Sequence, residues 1–373
     1  MVSSRALLPL AGAFATVLAS PLPSTMDSFN HLTAREAVDF SCFNASLPNV
    51  TIYATGGTIA GAAASSDQTT GYKAGSIGVD ALIEAVPQLC DVSNIRGVQV
   101  ANVGSNSIGP EILINMTQAI QADLDSGLTQ GVVVTHGTDT LEETAFFLDL
   151  TVSSEKPVVM VGAMRPATAI SADGPMNLLT AVTLAADESA EGRGAMIVLN
   201  DRIASARYTT KTDANMLDTF AGENGYLGKF HNVQPRFYYP PARPLGHHYF
   251  NISESVASEG LPEVDILYGH QALQPGLVQA AVDLGAKGLV TAGTGAGGFP
   301  VAGEELQRVF NETGIPIVAS SRVAAGFQNG RSGSLIGAGY LSPQAARIQL
   351  QLALEVGLKH EDIKAIFEYA AVN

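Results

Sequence analysis

Residues 131–150 read GVVVTHGTDTLEETAFFLDL. The first five of them, Gly131 to Thr135, are mostly β-branched and apolar, which predicts a short buried strand. Residues 141–150 have the composition and length of a helix, and Thr140 followed by Glu143 predicts a capping box at its start. A strand that leads through a short polar turn into a helix is the repeating unit of an α/β fold.

The same alternation continues on both sides of this unit. The strand-like runs are apolar at nearly every position, as expected for parallel strands that are buried on both faces. They cover residues 50–54, 131–135, 157–162, 195–199, 264–268, 287–291 and 315–319. Further helices are predicted over residues 176–186 and 345–358. The sequence therefore predicts an α/β protein with a mainly parallel sheet.

After residue 233, the alternation of strands and helices is interrupted by a proline-rich segment that has neither helical nor strand periodicity of apolar residues. We interpret it as a linker in which the adjacent His247 and His248 form a solvated pair. The chain then divides into a larger N-terminal domain with a mainly parallel sheet and a smaller C-terminal α/β domain. The predicted bounds are an N-terminal extension over 20–46, the first domain over 47–233, the linker over 234–261 and the second domain over 262–373.

Composition excludes several classes of protein. The chain has 373 residues, of which 46% are hydrophobic, so it is neither disordered nor too short for two packed domains. Twenty Lys and Arg against 35 Asp and Glu give a formal net charge of −15. Such an acidic chain is not expected to bind nucleic acid or an anionic membrane. No segment has the roughly 18 uninterrupted apolar residues of a membrane span.

Residues 1–19 have the pattern of a secretory signal peptide. Arg5 precedes an apolar stretch, and Val17 and Ala19 have the spacing of a cleavage site. We therefore expect a secreted protein, in which the two cysteines of the chain, Cys42 and Cys90, form a disulfide. Export would also expose N-glycosylation sequons, which stand at Asn44, Asn49, Asn115, Asn251 and Asn311.

Two predicted strands end in turns that carry hydroxyl groups. Residues 54–60 read ATGGTIA, where two glycines allow a sharp turn and present Thr58 beside backbone N–H groups. Thr138 and Asp139 follow the strand at 131–135, at the start of a helix. Each turn alone is also typical of an ordinary loop or cap. Together they offer a hydroxyl nucleophile, oxyanion donors and a second hydroxyl, which is the chemistry of amide hydrolysis.

Four stretches resemble the signatures of the bacterial-type (type II) L-asparaginases. They are ATGGTIAG at 54–61, VVTHGTDTLEETAFFLDLTV at 133–152, KPVVMVGAMRPATAISADGPMNL at 156–178 and TKTD at 210–213. The resemblance extends from about residue 48 to the C-terminus. It implies a hydrolase that converts L-asparagine into L-aspartate and ammonia, with weaker action on L-glutamine and without a cofactor.

The resemblance also implies the catalytic residues. Thr58 would attack the amide carbon, and Tyr72, on a mobile lid over residues 61–73, would help to activate it. A second triad would contain Thr138, Lys211 and Asp139. A lysine acts as a base only in its neutral form, which a neighbouring carboxylate disfavours, so the division of labour between the two threonines stays open.

A free amino acid carries a carboxylate and an ammonium that must both be paired when they leave water. By resemblance, Ser105 would hold the carboxylate, Asp139 the ammonium, and the carbonyl of Ala163 the amide NH₂. Asn106 stands where the family usually has Gln, a change that we expect to alter amine binding and the preference between Asn and Gln. The full set of implied substrate-binding residues is Gly57, Ser105, Asn106, Thr138, Asp139 and Ala163.

The C-terminal half departs from the family pattern. The family supplies an Asn and a Glu to the site of a neighbouring subunit, whereas this chain has Ala296 and no acid in the segment VAAGFQNGRSGSL at 323–335. Gln328 and Asn329 are candidates to replace the Glu, and both are equally well interpreted as loop residues. The resemblance implies a homotetramer built from dimers.

Two other functions compete with the hydrolase. The turn GTGAGG at 293–298 has the spacing of a dinucleotide site, but the next strand leads into Ser-Ser-Arg instead of a ribose-binding acid. A non-catalytic amino-acid-binding protein could share the fold. Thr58, Thr138 and Lys211 together favour the enzyme, because binding alone does not need all three. The histidines lack ligand spacing, so no metal site is predicted.

Overall fold

The computed structural model of the protein describes residues 40–299, 303–330 and 335–368. The predicted signal peptide and residues 20–39 of the predicted N-terminal extension lie outside these residues. The described chain forms one large and one small sheet with helices packed on them, which confirms the predicted two-domain α/β fold.

The N-terminal part contains ten strands and four helices among the described residues. The strands are β1 (Asn49–Gly56), β2 (Asn94–Val103), β3 (Gly131–Thr135), β4 (Val158–Val161), β5 (Ala195–Leu199), β6 (Arg202–Ser205), β7 (Thr210–Lys211), β8 (Phe220–Ala221), β9 (Gly228–His231) and β10 (Gln234–Phe237). The helices are α1 (Val79–Glu84), α2 (Pro110–Asp125), α3 (Leu141–Thr151) and α4 (Gly174–Ala185).

Eight of these strands form one sheet in the order β10-β9-β6-β5-β4-β3-β1-β2. The pairs from β5 to β2 are parallel, and β6, β9 and β10 continue the sheet in antiparallel fashion. Every residue of β3, β4 and β5 is buried, because helices cover both faces of a parallel sheet. β7 and β8 form a separate two-stranded sheet.

The C-terminal part is a four-stranded parallel sheet in the order β11-β12-β13-β14. Its strands are β11 (Val264–Tyr268), β12 (Gly288–Gly293), β13 (Ile317–Ser321) and β14 (Leu335–Gly337), and its helices are α5 (Leu277–Asp283), α6 (Gly303–Thr313), α7 (Pro343–Glu355) and α8 (His360–Phe367). Helix α7 packs against α3 of the N-terminal part as well as against β12, so α3 is enclosed and buried along almost its whole surface.

The capping box predicted for α3 is wrong, although the helix does begin after Thr140. No side chain caps this terminus. The Thr140 hydroxyl instead donates to the Ser105 carbonyl at 2.9 Å, while the Glu143 carboxylate lies 3.8 Å from Arg347 in α7. Both side chains that would form the box are therefore engaged in contacts with other segments.

The N-terminal sheet continues four residues into the predicted linker. β9 and β10 pair across a two-residue turn in which Asn232 and Val233 have φ values of 50° and 65°. A hairpin turn with two positive φ values normally takes Asn or Gly at both positions, and a β-branched residue is rarely found there. The remaining domain boundaries stay predictions.

The prediction of a solvated His247–His248 pair is wrong. His247 Nε2 lies 2.9 Å from the Asp149 carbonyl oxygen, close to the end of α3, and 3.8 Å from the Asp149 carboxylate. His248 packs edge-on against the buried Phe250. Burial raises the pKa of Asp149, while His247 and nearby arginines act in the opposite direction. The segment after β10 is thus anchored on the core.

The turns after β1 and β3 approach each other at Gly57 and Gly137. Gly57 has φ of 79°, and a Cβ there would lie 2.3 Å from the Gly137 backbone nitrogen. No side chain fits at that distance. Both the backbone conformation and the contact therefore require glycine at residue 57.

Gly57→Ala is expected to destabilise the protein more than Gly225→Ala. Gly225 is a matched control because its φ is 76° but a Cβ there would meet nothing within 4 Å. Backbone strain alone costs on the order of 1–3 kcal/mol at either position. The overlap at Gly57 should add about 1–3 kcal/mol to the loss of unfolding free energy in urea. Equal losses in the two variants would contradict the close approach.

Candidate active site

The two hydroxyl-bearing turns lie at one edge of the large sheet. β1 and β3 are neighbouring parallel strands, with Ala54 opposite Thr135. The chain leaves both strands in the same direction, which places Thr58 and Thr138 above adjacent strand ends. The carboxyl edge of a parallel sheet is where such folds bind their ligands.

Thr58 is in contact with the predicted lid. Its Oγ1 lies 2.7 Å from the hydroxyl of Tyr72, and either group can be the donor. The segment carrying Tyr72 folds back on itself through a bridge between Ala62 and Lys73. Backbone bonds from Ala167 to Gly61 and from Ile170 to Ser66 tie this segment to the loop after β4.

Thr138 is in contact with a lysine and, through it, with a carboxylate. Lys211 Nζ donates to Thr138 Oγ1 at 2.9 Å and to Asp139 Oδ1 at 2.7 Å. The Lys211 side chain is 16% exposed and that of Asp139 is 77% exposed. The solvent around Asp139 screens this ion pair, so it contributes little to stability. Its carboxylate remains accessible to a ligand.

These two groups line one cavity of about 380 Å³. All five predicted catalytic residues contribute to its wall: Thr58, Tyr72, Thr138, Asp139 and Lys211. The remaining wall comes from lid residues 69–71, from Met164 and Arg165 after β4, and from Ala214 and Asn215. The cavity thus brings two separate hydroxyl centres into reach of one small ligand.

Four of the predicted substrate-binding residues lie outside this wall. Gly57 packs on Gly137, and Ser105 is buried beneath the same turn, where its Oγ accepts from the Thr140 N–H at 3.3 Å. Asn106 is exposed and Ala163 is fully buried. Thr138 and Asp139 are the two members of the predicted set that line the cavity.

Met164 and Arg165 are site residues that the sequence analysis did not single out. Their backbone N–H groups both donate to the Asp173 carboxylate at 2.9 Å, which shapes the turn after β4. Asn177 Nδ2 donates to the same carboxylate and to the Gly162 carbonyl, each at 3.1 Å. Met164 and Arg165 directly follow β4 of the central sheet, and this position after a strand was the sequence signal that could have identified them.

A buried histidine supports the turn that carries Thr138. His136 is fully buried, with Nδ1 2.8 Å from the Gly137 carbonyl and Nε2 3.0 Å from the Thr144 hydroxyl. The carbonyl selects the tautomer with a proton on Nδ1, so Nε2 accepts from Thr144. Burial lowers the pKa of His136 to about 4, and its hydrogen bond to Gly137 acts in the opposite direction. The ring is therefore neutral near pH 7.

The glycine-rich turn at 293–298 does not open a helix. Thr294 and Gly298 exchange backbone hydrogen bonds of 2.8 and 2.7 Å, which closes the turn on itself. A dinucleotide fingerprint needs this turn to lead directly into a helix N-terminus. Among the described residues, α6 begins at Gly303, so the geometry does not favour a dinucleotide site.

Neither candidate for the missing acid lines the cavity of its own chain. Gln328 is buried and faces a second cavity of about 410 Å³ between β7 and the carboxyl edge of the C-terminal sheet. Asn329 is exposed. The second cavity shares Lys211 with the first but contains neither Thr58 nor Thr138.

The predicted disulfide is present, since Cys42 and Cys90 are bonded with their Cα atoms 5.7 Å apart. Glycosylation stays a prediction. Asn44, Asn251 and Asn311 are exposed, whereas the Asn49 amide donates to the Leu128 carbonyl at 2.8 Å and Asn115 is half-buried on α2. Within the described ranges, no group of three or more His, Cys, Asp or Glu could hold a metal ion.

Two family models match the chain. The model described as "Asparaginase, N-terminal" matches residues 49–243, and "Glutaminase/Asparaginase C-terminal domain" matches residues 263–367. The chain belongs to the asparaginase family. This membership confirms the resemblance on which the site residues were chosen, and it makes the protein a member of a family of hydrolases that act on amide C–N bonds.

Relatives of this asparaginase-family chain are similar over most of their length. "Probable L-asparaginase 3" of Schizosaccharomyces pombe is 53% identical over 88% of this chain and 91% of its own. "L-asparaginase 2" of Bacillus subtilis is 46% identical over 86% of each chain. The crystal structure of a "Probable Cytoplasmic L-asparaginase" from Campylobacter jejuni is 41% identical, has a TM-score of 0.81 and covers 86% of this chain and 99% of that one.

The prediction of a secreted protein is wrong by this comparison, because the Campylobacter jejuni enzyme with the same fold is described as cytoplasmic. The prediction rested on Arg5 and an apolar stretch within residues 1–19, which lie outside the described residues. An arginine before an apolar stretch, with small residues at the spacing of a cleavage site, is therefore not a sufficient basis for assigning export to this asparaginase-family chain. Among the described residues, no helix is long and apolar enough to cross a membrane.

His136 is expected to make the protein less stable as the pH falls. Below its ordinary value of 6.5 the unfolded chain takes up a proton on this ring, whereas the folded asparaginase-family chain does so only near pH 4. Between pH 6.5 and about 4, protonation of His136 in the unfolded chain should lower the free energy of unfolding by about 1.4 kcal/mol for each pH unit. His136→Gln removes the proton uptake, so the stability difference between wild type and variant should shrink from pH 6.5 to 4.5 in urea titrations. A difference that is independent of pH would contradict the neutral buried ring.

Proposed function

We propose that the protein is an L-asparaginase that hydrolyses L-asparagine to L-aspartate and ammonia, with weaker action on L-glutamine. One observation carries the proposal: Thr58 with Tyr72, and Thr138 with Lys211 and Asp139, converge on one cavity of about 380 Å³. A hydroxyl nucleophile and a second hydroxyl that can assist proton transfer, both in reach of one ligand, suit a two-step acyl transfer.

In the first step, Thr58 Oγ1 attacks the side-chain amide carbon. Its proton passes to Tyr72, whose oxygen lies 2.7 Å away, as Tyr72 releases its own hydroxyl proton toward the leaving nitrogen. The C–O bond forms as the amide π bond opens, and the resulting oxyanion is stabilised by backbone N–H groups of the neighbouring turns. The intermediate then collapses, the C–N bond breaks, and the nitrogen takes up a proton and leaves as ammonia. An ester of Thr58 remains.

In the second step, water hydrolyses this ester. The water gives a proton to Thr138 as its oxygen bonds to the carbonyl carbon, and Thr138 gives its own proton to Lys211 in the neutral form. A proton then returns from this pair to Thr58 Oγ1 as the ester C–O bond breaks. Thr138, with Lys211 at 2.9 Å, supplies a hydroxyl and an amine beside the reacting carbon. The products are L-aspartate and free Thr58, so the proton count is that of simple amide hydrolysis.

The substrate's ends would be held by charges at the rim. The Asp139 carboxylate is accessible and would pair with the α-ammonium. Gly57, Ser105 and Asn106 would serve the α-carboxylate and the amine through the turn next to the cavity. Ala163 directly precedes Met164, which lines the cavity, so its carbonyl would accept the amide NH₂.

Purified protein is expected to release ammonia rapidly from L-asparagine and more slowly from L-glutamine. Thr58→Ala, Thr138→Ala and Lys211→Ala should each lower kcat by roughly 10³-fold or more, as for members of a catalytic unit, while melting temperatures change little. A coupled ammonia assay measures this. Near-wild-type rates in any of the three variants would show that the residue is not catalytic.

The two threonines can be separated by trapping the ester. Quenching the reaction in acid and mapping the covalent adduct by peptide mass spectrometry should place it on the peptide containing Thr58. An adduct on Thr138 would reverse the assigned roles. If the wild type releases no ammonia but is stabilised against heat by L-aspartate, the chain is an amino-acid-binding protein on the same fold.

We further propose that the protein is a homotetramer built from dimers. Gln328 and Asn329 do not line the cavity of their own chain, as expected if C-terminal residues act on a neighbouring subunit. Sedimentation at assay concentrations should give a tetramer, and dilution to monomers should abolish ammonia release. Full activity of a monomer would exclude a shared site.

A further inference from the structure

Glu142 is a buried carboxylate next to the catalytic turn that the proposed mechanism does not use. It lies in the first turn of α3 and is 8% exposed. Its Oε1 accepts from the Thr210 hydroxyl at 2.7 Å, and its Oε2 accepts from the Lys211 backbone N–H. Both carboxylate oxygens are thus directed at β7.

The strand that carries Lys211 has little support of its own. β7 contains two residues and pairs with β8, also of two residues, outside the eight-stranded sheet. A two-stranded ribbon of this length is at best marginally stable in water. Lys211 must nevertheless hold its ammonium 2.9 Å from Thr138. Contacts from β7 to the rest of the fold therefore decide where the ammonium lies.

The Glu142 carboxylate supplies such contacts from a rigid element. Helix α3 is buried along almost its whole length, and the turn before it carries Thr138 and Asp139. Glu142 thus fixes the backbone of Lys211 to the same element that presents the lysine's hydroxyl partner. Burial raises the pKa of Glu142, while its bonds to Thr210 and Lys211 act in the opposite direction.

We propose that Glu142 is a positioning residue for Lys211, holding β7 against the start of α3 so that the ammonium meets Thr138 in reactive geometry. The proposal rests on the proposed function, because the effect is read as catalytic turnover. Glu142 touches neither Thr58 nor Thr138 through any hydrogen bond found among the described residues, so it acts through Lys211.

Glu143 provides a matched control in the same helical turn. It is also a partly buried carboxylate, and burial likewise raises its pKa. Its side chain lies 3.8 Å from Arg347 in α7 and points away from β7 to the C-terminal part. Removing this charge changes the same helix terminus without touching Lys211.

Glu142→Gln should lower kcat by about 10- to 100-fold, because a misplacement of the order of 1 Å has that effect on a catalytic group. KM for L-asparagine should change by less than about threefold, since the rim contacts remain. Glu143→Gln should keep kcat within about twofold of the wild type. Glu142→Asp, which keeps the charge but is one methylene shorter, should behave like Glu142→Gln.

A second variant covers the case in which Glu142→Gln fails to fold. Thr210→Val removes one of the two hydrogen bonds and leaves the Lys211 N–H bond in place. It should lower kcat by a smaller factor, about three- to tenfold. In a double-variant cycle, Thr210→Val should add little to the kcat loss of Glu142→Gln, because both changes release the same strand.

Three results would overturn the inference. Glu142→Gln with lowered melting temperature but wild-type kcat would make the carboxylate merely structural. Equal kcat losses in Glu142→Gln and Glu143→Gln would assign the effect to the helix terminus. If the kcat losses of Glu142→Gln and Thr210→Val were fully additive, Glu142 and Thr210 would not act together on Lys211. If the wild type itself releases no ammonia, the proposed function fails instead, which the wild-type assay shows directly.

Discussion

The site depends on the close approach of two backbone turns. β1 and β3 are adjacent and parallel, so their ends already lie about one strand spacing apart. Gly57 and Gly137 then let the turns come into direct backbone contact, since a Cβ on Gly57 would overlap the Gly137 nitrogen. Thr58 and Thr138 follow these glycines immediately and therefore reach one cavity. A bulkier residue at either turn would separate the two hydroxyls.

The strands of the core could be predicted well from sequence. β3, β5 and β11 begin and end at the predicted residues, because each is a short apolar run bounded by turns. β2 was missed, since it is an edge strand with polar residues such as Arg96 and Gln99 that break the apolar pattern. β10 was missed because Pro235 and a valine at positive φ are both atypical of strand and hairpin. Its position at the sheet edge tolerates that proline.

Of the proposed catalytic residues, Thr58, Thr138 and Asp139 could be singled out from sequence because they follow strands within contiguous motifs, whereas Tyr72 and Lys211 do not. Lys211 lies on a two-residue strand outside the main sheet. Neither hydrophobic periodicity nor motif spacing in the sequence therefore indicates that Lys211 belongs to the site, and only the family resemblance suggested it. Glu142 was not singled out from sequence, because side-chain direction cannot be read from a helical pattern. The tertiary contact to β7 determines its role.

The proton on Lys211 determines what Thr138 can do. A charged ammonium has only donors, so at 2.9 Å it donates to Thr138 Oγ1 and leaves the threonine's own proton free to point into the cavity. In that state Thr138 donates to the substrate or leaving group. A neutral Lys211 could instead accept this proton and make Thr138 a base toward water. In the proposed mechanism Thr58 is the nucleophile of the first step, and Thr138 acts as a base toward water only when Lys211 is neutral.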